Sequence, residues 1–351
     1  MPKSMTSARK PITVGIVGCG AVAERFHLPA LYGRRDVAVN VVIDTNLDRA
    51  HGLADRFGVP NVAPDISHAN PCDFNAAIVA LPHFLHAPVC AKLLHLGKHV
   101  LVEKPMALTT NECDLMIAAA ADKQVTLTVG QMRRNCPAVS ATKSLLEQAF
   151  LGQIKRFDIR DGVPFNWPVA SDFLFRKETA GGGVLMDAGA HTLDMAIWLL
   201  GDLDVTAYRD DAFGGVEADC EIELHTVTGI PGHIELSRTR NLRNSMLIEG
   251  SNGRLELFFY DNRAVLHDLD TRTGIPQVLQ HDAEAVPEQS VWPLMFRLQL
   301  DAWLRCVRAE AASTVPGEEG RRVVSLIEDC YRMREPLELP WVLPTSRLPV
   351  A

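Results

Sequence analysis

The sequence predicts an α/β protein. An N-terminal Rossmann domain, a doubly wound parallel sheet, is joined to a C-terminal α+β domain with a large, open, mainly antiparallel sheet. Three observations carry this expectation. From residue 12 to about 130, short apolar runs alternate with helical patterns, as in repeated βαβ units. The first run leads straight into Gly18-Cys19-Gly20-Ala21-Val22-Ala23, a G-x-G-x-x-A turn that opens a helix. Beyond residue 150, strand-like segments with alternating polar and apolar residues follow one another.

Each element has its own reason. Ile12–Val17 is a short apolar run and reads as a buried strand. In the turn after it, the first glycine permits the bend and the second lets a pyrophosphate approach the backbone. The small third residue lets helix and strand pack closely, and the helix N-terminus offers free N–H groups. Val37–Ile43 is the second strand, ended by Asp44, and a helix follows over Leu47–Phe57. Further strands are expected over 75–81, 99–102 and 125–129, separated by helices over 87–96 and 111–123. In such sheets ligands gather beyond the carboxyl ends of the strands. That rule brings together the glycine turn, Asp44, the Pro82–His86 segment and Lys104.

In the second half, a helix over 138–150 precedes a strand over 153–160. An irregular stretch, 161–175, holds Phe165, Trp167, Phe173 and Phe175. A helix over 183–200 should end at Gly201. Strands are expected over 204–208, 217–226, 232–237, 245–248, 253–259 and 264–269, then helices over 292–310 and 318–334. The expected division is a tail over 1–11, a Rossmann domain over 12–131, and an α+β domain over 132–351 whose last helices and tail pack back on the first.

Composition narrows the class. A formal net charge of −8 argues against nucleic acid or an anionic membrane as the main partner. No stretch approaches the roughly 18 continuous apolar residues of a membrane span, and residues 1–11 lack the apolar core of a signal peptide. The eight cysteines are scattered, and no metal-ligand spacing is present. This pattern suits free thiols in a reducing cytoplasm and no bound metal.

The chemistry concentrates in two places. Asp44 is placed to bond the ribose hydroxyls of an adenosine and to repel a 2′-phosphate, which favours NAD over NADP; Arg49, nearby, keeps NADP open. Asp44 could also cap the helix after it. Gly181-Gly182-Gly183 opens a helix carrying Asp187, His191 and Asp194 at spacings that share one face. Those groups can hold and deprotonate a hydroxyl. The glycines are the expected point of contact with substrate or cofactor. Asp194 is expected to orient His191 or to be structural. The aromatic stretch could form a sugar platform or simply pack. Arg238, Arg240 and Arg243 could bind an anionic substituent or lie at a solvated strand end.

Taken together, the glycine turn, the Glu103-Lys104-Pro105 triplet, and the three glycines leading to Asp187, His191 and Asp194 resemble the Gfo/Idh/MocA family, over nearly the whole chain. The resemblance implies a nicotinamide-dependent oxidoreductase whose open C-terminal sheet forms a homodimer or homotetramer interface. It implies Lys104, Asp187 and His191 as catalytic residues and a cis peptide between Lys104 and Pro105. The expected cofactor site is Gly18, Cys19, Gly20, Ala21, Val22, Asp44, Leu81, Pro82, His86, Glu103 and Lys104. The expected substrate contacts are Lys104, Arg134, Trp167, Asp187, His191 and Arg238. The substrate is expected to be a sugar, a sugar derivative or a cyclitol. Either Lys104, pairing with Glu103 if charged, or His191 could carry the proton. A redox-neutral lyase, isomerase or hydrolase using bound NAD would employ the same residues, and a non-catalytic NAD-binding regulator is the remaining alternative.

Overall fold

The computed structural model describes residues 10–169, 171–267, 277–279 and 291–337. Most of the expected N-terminal tail, the last residues of the strand expected over 264–269 and nearly all of the C-terminal tail lie outside the described residues.

Six strands form a parallel sheet: β1 (Ile12–Val17), β2 (Val37–Ile43), β3 (Asn61–Ala63), β4 (Ala76–Val79), β5 (His99–Glu103) and β6 (Leu127–Gly130). Their order is β3-β2-β1-β4-β5-β6, all parallel. The chain reverses direction across the sheet between β1 and β4, and ligands of doubly wound folds bind outside that switch point. The three-residue edge strand β3 is too short to show a period in the sequence. A π-helical turn over Ala23–His27 and α1 (Leu28–Leu31) follow the glycine turn. Then come α2 (Leu47–Phe57), α3 (His86–His95) and α4 (Thr110–Lys123). Asn46, not Asp44, caps α2, accepting the Arg49 N–H at 3.0 Å. Asp44 is thereby free of the capping role.

Helix α5 (Pro137–Glu147) links the sheets. The second sheet comprises β7 (Ile154–Gly162), β8 (Leu203–Asp210), β9 (Asp219–Thr226), β10 (Pro231–Ser237), β11 (Ser245–Gly250), β12 (Arg254–Phe258), β13 (Ala264–His267), β14 (Gln277–Leu279) and β15 (Arg334–Pro336). The order is β14-β13-β12-β11-β7-β10-β9-β8-β15, antiparallel except at β7–β10 and β8–β15. One face buries Phe157, Ile159, Ile222, Ile234, Met246 and Ile248 beneath α7 (Ala190–Leu200). The other face carries ion pairs, among them Arg156–Glu249 (2.7 Å) and Arg243–Asp158 (2.7 Å). A short helix, α6 (Lys177–Ala180), and a π-helical turn over Leu185–Gly189 lead into α7.

The last helices, α8 (Val291–Val307) and α9 (Gly317–Arg332), return to the first sheet. Leu300, Trp303 and Leu304 of α8 are buried in the cluster that holds Ile12, Ile16 and Leu28. Asp301 pairs with Arg34 and Arg308 with Asp36, while Arg321 of α9 pairs with Asp114. Between these helices, the Val315 carbonyl accepts the Val129 N–H of β6 at 2.9 Å.

Candidate active site

A cavity of about 480 Å3 lies beyond the carboxyl ends of β1, β2, β4 and β5, facing the π-helical turn before α7. Of the residues expected to hold a cofactor, Gly18, Gly20, Ala21, Val22, Asp44, Leu81, Pro82, Glu103 and Lys104 line it. Gly18 has φ +97°, and a Cβ there would strike the Ala80 backbone. A Cβ at Gly20 would meet nothing within 4 Å, so its backbone stands open to a ligand. Asp44 accepts the N–H groups of Cys19 (2.7 Å) and Asn46 (2.8 Å) and pairs with Arg49 (2.9 Å), which also lines the cavity. An exposed glycine backbone at a helix N-terminus, with a carboxylate at the end of β2, fits a dinucleotide.

Two of the expected cofactor residues do not line the cavity. Cys19 is buried, and its N–H is committed to Asp44. His86 is fully buried behind the wall, its ring nitrogens facing the Pro105 (2.7 Å) and Leu81 (2.9 Å) carbonyls; His83, three residues earlier, faces the cavity instead.

Lys104, Asp187 and His191 come together. The Lys104–Pro105 peptide is cis. Lys104 Nζ donates to Asp187 Oδ1 (2.5 Å) and to the Asp187 carbonyl (3.1 Å). Arg238 donates to Asp187 Oδ2 (2.9 Å) and to the Gly183 carbonyl (3.2 Å). Burial disfavours charge on Asp187, but the cations Lys104 and Arg238 outweigh it and hold the carboxyl far below the usual carboxylate range. Burial, reinforced by Lys104 and Arg133, pushes His191 well below the ordinary histidine value, so its ring is neutral. Its Nδ1 lies 2.7 Å from Gln131 Oε1.

Several sequence expectations are corrected. Glu103 does not pair with Lys104; it bonds the buried His27 Nε2 at 2.7 Å. Arg134 does not line the cavity. It is buried in a bidentate pair with Asp194 (2.7 and 2.8 Å) and also meets Glu319 (3.0 Å). Asp194, so occupied, does not orient the His191 ring. The neighbouring Arg133 lines the cavity and pairs with Asp161 at 2.8 Å. The three glycines do not meet the cavity. Gly181 has φ +81°, a Cβ on Gly182 would strike the Tyr331 hydroxyl, and one on Gly183 would strike the Glu217 backbone. Their purpose is close packing. Buried Glu217 accepts the N–H groups of Gly183 (2.8 Å) and Leu185 (3.1 Å), anchoring the turn that bears Asp187. The arginine cluster is divided. Arg240 pairs with Asp219 and Glu235, Arg243 with Asp158 and Glu256, and only Arg238 enters the cavity.

Trp167 lines the cavity beside Trp292 (ring centroids 6.3 Å apart), and Tyr260 and Phe296 extend the same wall. Sequence reading gave no role of their own to Glu217, Tyr260 or Trp292, and placed Gln131 only in a loop, 131–136, expected to shape specificity. Gln131 and His191 are 60 residues apart, and Glu217 is 34 residues from Gly183, so no local pattern joins them.

A dinucleotide cradle facing a lysine, a carboxylate and a histidine defines a nicotinamide-dependent oxidoreductase. Residues 12–131 match the oxidoreductase family described as having an NAD-binding Rossmann fold, and residues 143–338 match its C-terminal alpha/beta domain. The chain belongs to the Gfo/Idh/MocA oxidoreductase family. It is 28% identical over 320 residues to the dTDP-3,4-didehydro-2,6-dideoxy-alpha-D-glucose 3-reductase of Actinomadura kijaniata, covering 89% of this chain and 90% of that one. It is 28% identical to the levoglucosan dehydrogenase of Pseudarthrobacter phenanthrenivorans, covering 81% of this chain and 83% of that one. A solved 3-ketoreductase from Actinomadura kijaniata, in complex with NADP and TDP-benzene, superposes with a TM-score of 0.79 at 25% identity, covering 94% of this chain and 100% of that chain.

Proposed function

We propose that this protein moves a hydride between NAD and a secondary alcohol or ketone of a sugar, a sugar derivative (free or nucleotide-linked) or a cyclitol. The observation that carries the reading is the convergence of Lys104, Asp187 and His191 on the cavity that also holds the glycine turn and Asp44. The dinucleotide, when bound, supplies or accepts the hydride. The backbone at Gly20, Ala21 and Val22 would hold its pyrophosphate, and Asp44 would receive the ribose hydroxyls. Lys104, fixed by Asp187, stabilises negative charge that develops on the reacting oxygen. His191, neutral and facing the cavity, exchanges the proton with that oxygen. Arg238, which also enters the cavity, holds the other carboxylate oxygen of Asp187. Trp167 and Trp292 offer apolar faces to the C–H surface of a ring. The names of the relatives support a sugar substrate.

The chain is further proposed to work in the cytoplasm, which its eight free cysteines suit. Association into a homodimer or homotetramer through the ion-paired sheet face is part of the same reading; sedimentation of an Arg156→Glu variant tests it. Turnover is tested on a panel of polyols, glycosides and nucleotide sugars with NAD and NADH. Lys104→Met and His191→Asn should each lower kcat strongly, and near wild-type turnover in both refutes the mechanism. Net NADH accumulation supports a dehydrogenase, whereas product without NADH supports redox-neutral chemistry.

A further inference from the structure

We infer that Gln131 is a positioning residue: it fixes the tautomer of His191 so that Nε2 is the atom that takes the substrate proton. The consequence rests on the alcohol–ketone reaction proposed above; the geometry does not. Gln131 follows β6 and is only 1% exposed, so its amide must find partners within the protein. Its Nε2 donates to the Ala190 carbonyl at 3.0 Å. That bond turns Oε1 toward His191, 2.7 Å from Nδ1. An amide oxygen only accepts, so Nδ1 must carry the hydrogen. The opposite tautomer would set two lone pairs against each other at this distance.

In a neutral imidazole the remaining nitrogen then holds a lone pair. The ring is neutral, and the charged groups around it are Lys104, Asp187 and Arg133, the last paired with Asp161. Nε2 has no partner among the described residues, and the ring lines the cavity. As the alcohol is oxidised, its O–H proton passes to Nε2 while the carbon-bound hydrogen leaves with its electron pair for the dinucleotide, and C–O becomes C=O. The resulting imidazolium keeps its Nδ1–H on Gln131. In reduction, the Nε2 proton returns to the oxygen. Lys104, already donating to Asp187, stays an electrostatic partner throughout.

Nitrogen-15 NMR of the ring in the whole protein, with His191 assigned by its loss in His191→Asn, reads the tautomer without turnover. The expected result is a protonated Nδ1 and a pyridine-like Nε2; a protonated Nε2 in the neutral ring overturns the inference. In kinetics, Gln131→Leu removes the acceptor and should lower kcat by about a hundredfold or more, with the KM for NAD within twofold, as when other histidine bases lose their orienting partner. Gln131→Glu keeps an acceptor and adds charge. It should retain kcat at alkaline pH and move the acid limb of the oxidation profile upward by about one pH unit. A merely structural glutamine predicts no such displacement, and an unmoved limb overturns the role even if Gln131→Leu does not fold. If NMR shows the expected tautomer but no sugar or polyol is oxidised, the proposed reaction fails and the tautomer assignment stands.

Discussion

Replacing Gly183 with alanine adds one methyl group where the backbone of Glu217 already lies. The new Cβ would fall within the Glu217 carbonyl oxygen, 2.5 Å from its nitrogen and 2.7 Å from its carbon. Carbon contacts settle near 3.5 Å, so the two segments must part by at least about 1 Å. Gly183 does not adopt a positive φ, so the conflict is steric rather than conformational. Parting stretches three bonds. Gly183 N–H and Leu185 N–H donate to the Glu217 carboxylate, and Val184 N–H donates to its carbonyl at 2.9 Å. A bond to a charged group contributes about 1.5–3 kcal/mol and a neutral one about 1. With partial relaxation the expected loss is about 3–6 kcal/mol, a large share of a typical total of about 5–15. The Asp187 N–H donates to the Gly183 carbonyl at 3.1 Å, so the shift reaches Asp187, and a displacement of about 1 Å can cost about a hundredfold in kcat. Urea titration at constant m-value and steady-state kinetics measure both effects. Gly52→Ala is the control: it lies in α2 with nothing within 4 Å of the new Cβ and should gain about 0.5–1 kcal/mol. A Gly183→Ala stability within 0.5 kcal/mol of wild type, on the scale of a neutral surface change, would sink the packing account.

Other outcomes follow from the same geometry. Asp187→Asn leaves Lys104 and Arg238 without their carboxylate and should lower kcat by about a hundredfold, with stability down by about 3 kcal/mol; unchanged kinetics would remove Asp187 from the mechanism. Burial pushes His83 down to about 3 and His191 well below 6.5, so below pH 6.5 the unfolded chain takes up protons that the folded chain refuses. Their stability contribution is present above pH 6.5 and lost as pH falls. Together the two should cost about 2 kcal/mol between pH 7 and 5.5, and urea midpoints should show the drop shrinking in His83→Asn. Asp44→Ser should reduce kcat/KM with NAD by about tenfold and raise it with NADP, because Arg49 is released from its carboxylate; equal ratios before and after would show that Asp44 does not select the cofactor.

Much of this was legible along the chain because its cause is local. The G-x-G-x-x-A turn works through its own backbone, and β1, β4, β5 and the last three residues of β2 are apolar runs buried on both faces. Helical spacing placed Asp187 and His191 four residues apart, and both reach the cavity. The same spacing misled at Asp194. A shared helix stripe does not determine a partner, and Arg134, sixty residues away, reaches Asp194 first. His86 and Arg134 are polar residues beside the right segments that turn into the wall. Their neighbours His83 and Arg133 turn into the cavity. Which of two nearby side chains faces a ligand depends on the packing behind both.

By itself the sequence determined a two-sheet architecture, the place where a dinucleotide can lie, and the triad of lysine, carboxylate and histidine. The first two follow from short-range backbone chemistry and from periodic burial, whereas the triad, and Lys104 above all, was pointed out by the family resemblance. Only the tertiary structure decided what the glycines before Asp187 are for. Read along the chain they look like an opening for a ligand. In the fold they make room for Glu217 and Tyr331, whose side chains hold the turn in place. Tertiary structure also decided the state of the triad, because a pKa and a tautomer depend on the groups that surround a side chain in space. Lys104 found Asp187 eighty-three residues away, and His191 found Gln131.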